Sequence, residues 1–356
     1  MSALEENSIP FLSLNHLISL IYSALASTQN QDQYLIFRHI SRHVMHLQID
    51  AARDQGLIPK SARFTHFYPS NLLIIKLPVD ASSRIAYLDI LTKPIIGWAY
   101  SLGMSRQLKV CGHTRYIAKI RDSVVEGVDF DNPHPALQAI AKADRSVLQD
   151  GFGSFNECDM GFRPWLNRPY KFDTPAVVVE STFGSDQACV LRYKACWWLE
   201  LMDNEVRCVV LINVDPDEQE IRIEVWRNER MTKGQDRIEG VAVGAAVPTR
   251  VQEVVVAKKE EYKGVQEESD QRHYTVRGGP LRLKFADFFI EEAAGSEFLR
   301  ARFAGRKKEG DWDFVLGEEE LASEAADLWF ADGTLVNDWR EGLVNHDDDG
   351  GNARPA

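Results

Sequence analysis

Residues Pro175–Asp215, PAVVVESTFGSDQACVLRYKACWWLELMDNEVRCVVLINVD, decide the fold. Two short, continuous apolar runs, AVVV and CVVLINV, are bounded by turn residues, as core strands are. Between them the spacing predicts a helix over Asp186–Met202 that buries Leu191, Ala195, Trp198 and Met202. The unit is therefore strand, tight turn, helix, strand. Two charges sit awkwardly in it. Glu180 closes the first strand, where a carboxylate is costly unless solvated, paired or bound to a metal. Lys194 lies three residues after Leu191 and four before Trp198, on the border of the apolar stripe. From there it would point back toward the sheet, where Glu180 offers a partner.

Upstream, NECDMGFRPW reads as a charged, proline-containing loop and supplies a second acid, Asp159. If its segment runs beside the first strand, Asp159 and Glu180 meet at one sheet edge. Two carboxylates in one place repel unless a cation lies between them, and oxygen ligands suit Mg²⁺ or Mn²⁺. Such an ion generates hydroxide and stabilises a phosphodiester transition state, while a nearby lysine orients water or neutralises charge. Each residue also has a plainer reading. Glu180 can be a strand-end acid in a structural salt bridge, Asp159 a solvated loop acid, and Lys194 a side chain that snorkels to water.

The pattern of CD, then VVVES, Ser185, Leu191, Lys194 and Trp197–Leu199 resembles the PD-(D/E)xK restriction-endonuclease-like superfamily, in a variant whose lysine has migrated to the following helix. It is similar to a group of uncharacterised fungal proteins, with Phe162–Arg163–Pro164, Pro175, Val206–Arg207 and Ile221–Trp226 in step. Cys158 stands where the usual motif has proline, and Thr182 where it has lysine. The resemblance implies an α/β fold, a mixed central sheet flanked by helices, with the acids clustered at one edge. It also implies a metal-dependent nuclease acting on DNA or RNA, with Asp159, Glu180 and Lys194 catalytic and Asp159 and Glu180 holding Mg²⁺ or Mn²⁺. A decayed descendant, kept as an interaction module, is the alternative.

Working outward, Leu14, Leu17, Ile18, Ile21, Tyr22 and Leu25 form one helical stripe capped by Ser13, and a second helix is expected over residues 31–54. Residues 1–60 thus read as a helical N-terminal extension. NLLIIKLP (71–78) reads as a strand and residues 82–104 as a helix that Pro94 must kink or split. TRYIAKI (114–120) is another strand, and residues 121–150 read as a surface helix. EIRIEVW (220–226) alternates as a hairpin strand returning on CVVLINV. Residues 61–300 form the expected α/β domain, with its core over 107–227. An acidic helical segment follows over 301–344, then a disordered tail over 345–356.

Composition fits a folded chain of 356 residues, 44% hydrophobic and 26% charged. From Glu309 onward fourteen acids face two arginines, which accounts for the whole formal charge of −12. The remainder is neutral, which neither predicts nor forbids nucleic-acid contact, while the acidic end is a candidate surface for a protein partner. Five cysteines without a CxxC pair read as reduced thiols. No apolar run approaches the roughly 20 residues of a membrane span, so the expected setting is cytoplasmic or nuclear, without membrane contact. GxSxG, P-loop and GxGxxG patterns are absent.

Overall fold

The computed structural model describes residues 7–27, 32–67, 70–77, 81–112, 114–118, 154–170, 172–184, 187–202, 204–230, 246–263, 270–289 and 312–329. The helix expected over 121–150 and the tail over 345–356 lie outside the described residues.

Two mixed sheets flanked by helices make up the α/β architecture. The first has the order β1-β2-β4-β3-β7-β6, and the second β13-β12-β11-β10-β9-β8-β5. In the first sheet β1 is Ile9–Pro10, β2 Gln33–Arg38, β3 Arg63–Phe67, β4 Leu72–Leu77, β6 Arg115–Ile117 and β7 Phe155–Glu157. The second contains β5 (Leu108–Cys111), β8 (Met160–Pro164), β9 (Val177–Phe183), β10 (Cys208–Asp215), β11 (Glu220–Arg230), β12 (Ala246–Lys258) and β13 (Tyr274–Arg277). A small separate ladder joins β14 (Leu281–Leu283) to β15 (Phe314–Leu316).

The stretch that decides the fold behaves as its apolar runs predict. β9 and β10 pair in parallel, Val178 with Val209, and the helix between them is α4, Ala188–Leu201. β11 returns antiparallel on β10. Both parallel strands are covered on both faces, which is why each holds a continuous apolar run, Val177–Val179 and Cys208–Ile212, and not an alternation. One face of the second sheet (Val177, Val179, Val210, Ile212, Ile223) packs on α3 (Ala81–Ser101), the short α5 (Phe285–Phe288) and α6 (318–329). The other face (Val178, Val209, Leu211) packs on α4 and on Phe67, Leu72 and Ile74 of the first sheet. Beyond that sheet lie α1 (Leu14–Leu25) and α2 (42–54), which bury Leu17, Ile21, Met45 and Ile49 against Phe37, Leu73 and Ile75. Ser13 caps α1 as expected, its Oγ accepting from His16 N at 3.2 Å.

Three expectations need correction. Residues 31–54 are not one helix: Gln33–Arg38 pair with β4, and only 42–54 are helical, wound as π-helix over Met45–Asp50. Residues 1–60 accordingly supply strands as well as helices. The run YLIF is β-branched and aromatic, and its partner β4 is fully apolar apart from Lys76, so pairing overrides the helical stripe. The segment NECDMGFRPW is not a loop: β7 belongs to the first sheet, β8 to the second, and only Cys158 and Asp159 separate them. Of the two outcomes expected at Pro94, a kink or a split, the split does not occur, since α3 runs through it as one element.

Candidate functional site

Where β8 stops, β9 continues. Their ladder ends at the Met160–Val179 pair, so among the described residues no strand lies beside the edge of β9 over residues 180–183 on that side. Buried backbone groups left in this way must find other partners. The partners are charged side chains and one backbone pair from the first sheet. Ser181 N donates to Asp159 Oδ2 at 3.0 Å, and Ser181 O accepts from Lys76 Nζ at 2.6 Å. Phe183 N donates to Asp32 Oδ2 at 3.1 Å, and Phe183 O accepts from Asp32 N at 2.8 Å.

Asp159 sits in the two-residue crossing between the sheets, which brings it alongside β9. Its Oδ2 also accepts from Ser181 Oγ at 2.9 Å and from Lys76 Nζ at 2.8 Å. Lys76, the penultimate residue of β4, reaches Asp32 Oδ2 at 3.3 Å as well. Tyr34, on β2, directs its hydroxyl at Ser181 O at 3.4 Å. Burial drives the Tyr34 phenol well above its ordinary pKa, so it stays protonated and can act as that donor.

Glu180 is the fourth residue of a seven-residue strand, not its end. It shares a face with Val178 and looks into α4. There Lys194 Nζ reaches Glu180 Oε2 at 2.6 Å, and Trp198 Nε1 donates to Oε1 at 2.8 Å. The i, i+4 spacing of Lys194 and Trp198 puts both donors on the same turn-to-turn line of the helix. Lys194 points back to the sheet as its position on the stripe predicts. It does not snorkel, being 1% exposed.

The structure thus brings Asp159, Glu180 and Lys194 into one buried region, where Asp159 contributes to raising the Glu180 pKa. Each carboxylate has its own ammonium, however: Glu180 faces Lys194, and Asp159 faces Lys76. Sequence reasoning missed Lys76, Asp32 and Tyr34. The lone lysine in NLLIIKLP carried a signal, because a charge inside a strand that short and apolar needs a buried counter-charge. Asp32 and Tyr34 carried none while their segment read as a helix.

An Mg²⁺ or Mn²⁺ ion shared by Asp159 and Glu180 does not fit this donor set. Both oxygens of Glu180 are engaged by protein donors, Lys194 on one and Trp198 on the other, which leaves Glu180 none to share with Asp159 around an ion. Among the described residues no group of three or more His, Cys, Asp or Glu side chains is arranged for a metal ion. Cys158, next to Asp159, is fully buried, and burial pushes its thiol well above the ordinary range.

No family model, no curated protein and no solved structure matches the chain. Among the described residues no helix is long and apolar enough to cross a membrane.

Two buried titratable groups near the sheets give pH dependences of opposite sign. Burial raises the Glu180 pKa above 4.5 despite Lys194, so its contribution to stability is present below that pH and is lost as pH rises through the folded value. His66 on β3 is the reverse case. Its Nε2–H donates to Ile40 O at 3.0 Å, and burial lowers its pKa from 6.5 to about 4. The neutral ring therefore stabilises the fold above pH 6.5, and that share is lost as pH falls towards 4. The full shift corresponds to about 3 kcal/mol. Urea unfolding of wild type and His66→Gln across this window should show a steeper acid loss in the wild type; parallel curves would refute the assignment.

Proposed function

We propose that the chain is a catalytically silent interaction module on a restriction-endonuclease-like frame, and not a working nuclease. One observation carries the reading: the acids that a nuclease would aim at a metal are instead buried in and beside a core strand, each neutralised by a buried lysine. The strand–helix–strand unit, with an acid in the first strand and a lysine on the helix, supports descent from a nuclease frame. The closed ion pairs support loss of the chemistry.

A module of this kind acts through its surface, and two surfaces are suited to binding. On α6 the apolar face is in the core while Glu318, Glu319, Glu320 and Asp327 face outward, a negative ridge suited to a basic protein partner. Around the β5 edge and the chain that follows β8, Val110, Trp165, Leu166, Tyr170 and Phe172 are exposed, and Lys109 Nζ lies 5.3 Å from the Trp165 ring centroid. Clustered exposed apolar side chains mark contact surfaces more often than single ones do.

The reading is tested by a nuclease assay on single- and double-stranded DNA and on RNA with Mn²⁺ or Mg²⁺. The wild type is expected to cleave no faster than Glu180→Gln or Asp159→Asn. Cleavage by the wild type that both variants lose would overturn the silent module and restore the metal-dependent nuclease.

A further inference from the structure

Oxygens around the Lys76 ammonium resemble the donors of a hard metal ion more than the surroundings of a surface lysine. Its Nζ is 2.6 Å from Ser181 O, 2.8 Å from Asp159 Oδ2 and 3.3 Å from Asp32 Oδ2. The three oxygens come from three separate segments: the approach to β2, the crossing between sheets and the middle of β9. Lys76 is 1% exposed, Asp32 1%, Asp159 2% and Ser181 0%.

We propose that Lys76 is this protein's resident cation, filling an oxygen cradle of Asp32, Asp159 and the Ser181 carbonyl that would otherwise take a divalent ion of the Mg²⁺ or Mn²⁺ class. Two carboxylates turned toward one point repel unless a positive charge stands between them. A carbonyl oxygen turned to the same point adds a third hard donor. Lys76 supplies the charge from within the chain, on a strand whose hydrogen bonds fix where its stem begins. Glu180 is no part of the cradle, because Lys194 and Trp198 hold both its oxygens. The ammonium stands at 2.6–3.3 Å from the donors, whereas Mg²⁺ takes oxygens at about 2.0–2.1 Å. An ion in its place therefore needs the donors to close in slightly, with water completing its shell. The inference deepens the silent-module reading and rests on it: a cradle already filled by the chain has no need of metal and no open position for a substrate.

Thermal unfolding of the full chain with and without Mn²⁺, read together with the Mn²⁺ paramagnetic resonance signal, tests the proposal. The wild-type melting temperature is expected not to move with Mn²⁺. Lys76→Ala should be strongly destabilised in chelator and recover in Mn²⁺. At about 100 times its Kd the ion raises the folding constant roughly 100-fold, a shift of about 4 °C for a chain of this size. Lys76→Ala combined with Asp32→Asn should lose that response. A Lys76→Ala protein whose melting temperature ignores Mn²⁺, or that stays unfolded in it, overturns the inference. So does an equal response in the wild type or in the double variant. These readouts are independent of cleavage, so the inference and the silent-module reading fail by different results.

Discussion

Glu180→Ala is expected to destabilise the fold by about 3–5 kcal/mol, the cost of leaving one partner of a buried ion pair alone. The substitution strands the Lys194 ammonium at 1% exposure and leaves Trp198 Nε1 without its acceptor. Removing both charges together has a different outcome. Glu180→Leu with Lys194→Met replaces the pair by apolar side chains of similar size, and such exchanges are often neutral or stabilising. The double variant should therefore recover most of the loss, short of the indole hydrogen bond, which is worth about 1 kcal/mol. Urea unfolding of the two single variants and the double closes the cycle. A cost under about 1 kcal/mol for Glu180→Ala would place this pair with surface ion pairs and contradict its burial.

Asp159→Ala should cost a similar amount, about 3–5 kcal/mol, for a more distributed reason. One carboxylate oxygen receives Ser181 N, Ser181 Oγ and Lys76 Nζ, so three donors lose their acceptor at once. Asp159→Asn separates the contributions. Its amide oxygen can still accept from the Ser181 donors while the negative charge opposite Lys76 is gone, so about half of the loss should remain. Equal losses in the two variants would mean that charge dominates. A silent Asn variant would mean that hydrogen bonding to β9 is the whole role. Both are read from denaturation midpoints and from amide exchange at Ser181.

The apolar runs AVVV and CVVLINV were enough to place the core strands and the helix between them, because strands buried on both faces leave an unambiguous composition. The period of α4 placed Lys194 correctly against Glu180. What remained hidden was long-range. Nothing within NECDMGFRPW indicates that its two halves join different sheets, since that depends on distant partners: β3, about ninety residues upstream, for the first half, and β5 and β9 for the second. Likewise YLIF falls within the helix expected over 31–54 until β4 is available to pair with it. The identities of two site acids were legible, but not their counter-ions, and it is the counter-ions that decide between a metal centre and a structural seam.

The two-residue passage from β7 to β8 has a mechanical consequence. With Cys158 and Asp159 as the only residues between strands of different sheets, neither sheet can shift without dragging the other. The carboxylate at that passage also holds the backbone of β9. Loosening of either layer thus breaks the same hydrogen bonds, and the molecule should melt in one cooperative transition, with the slowest-exchanging amides of both sheets reporting a single opening free energy.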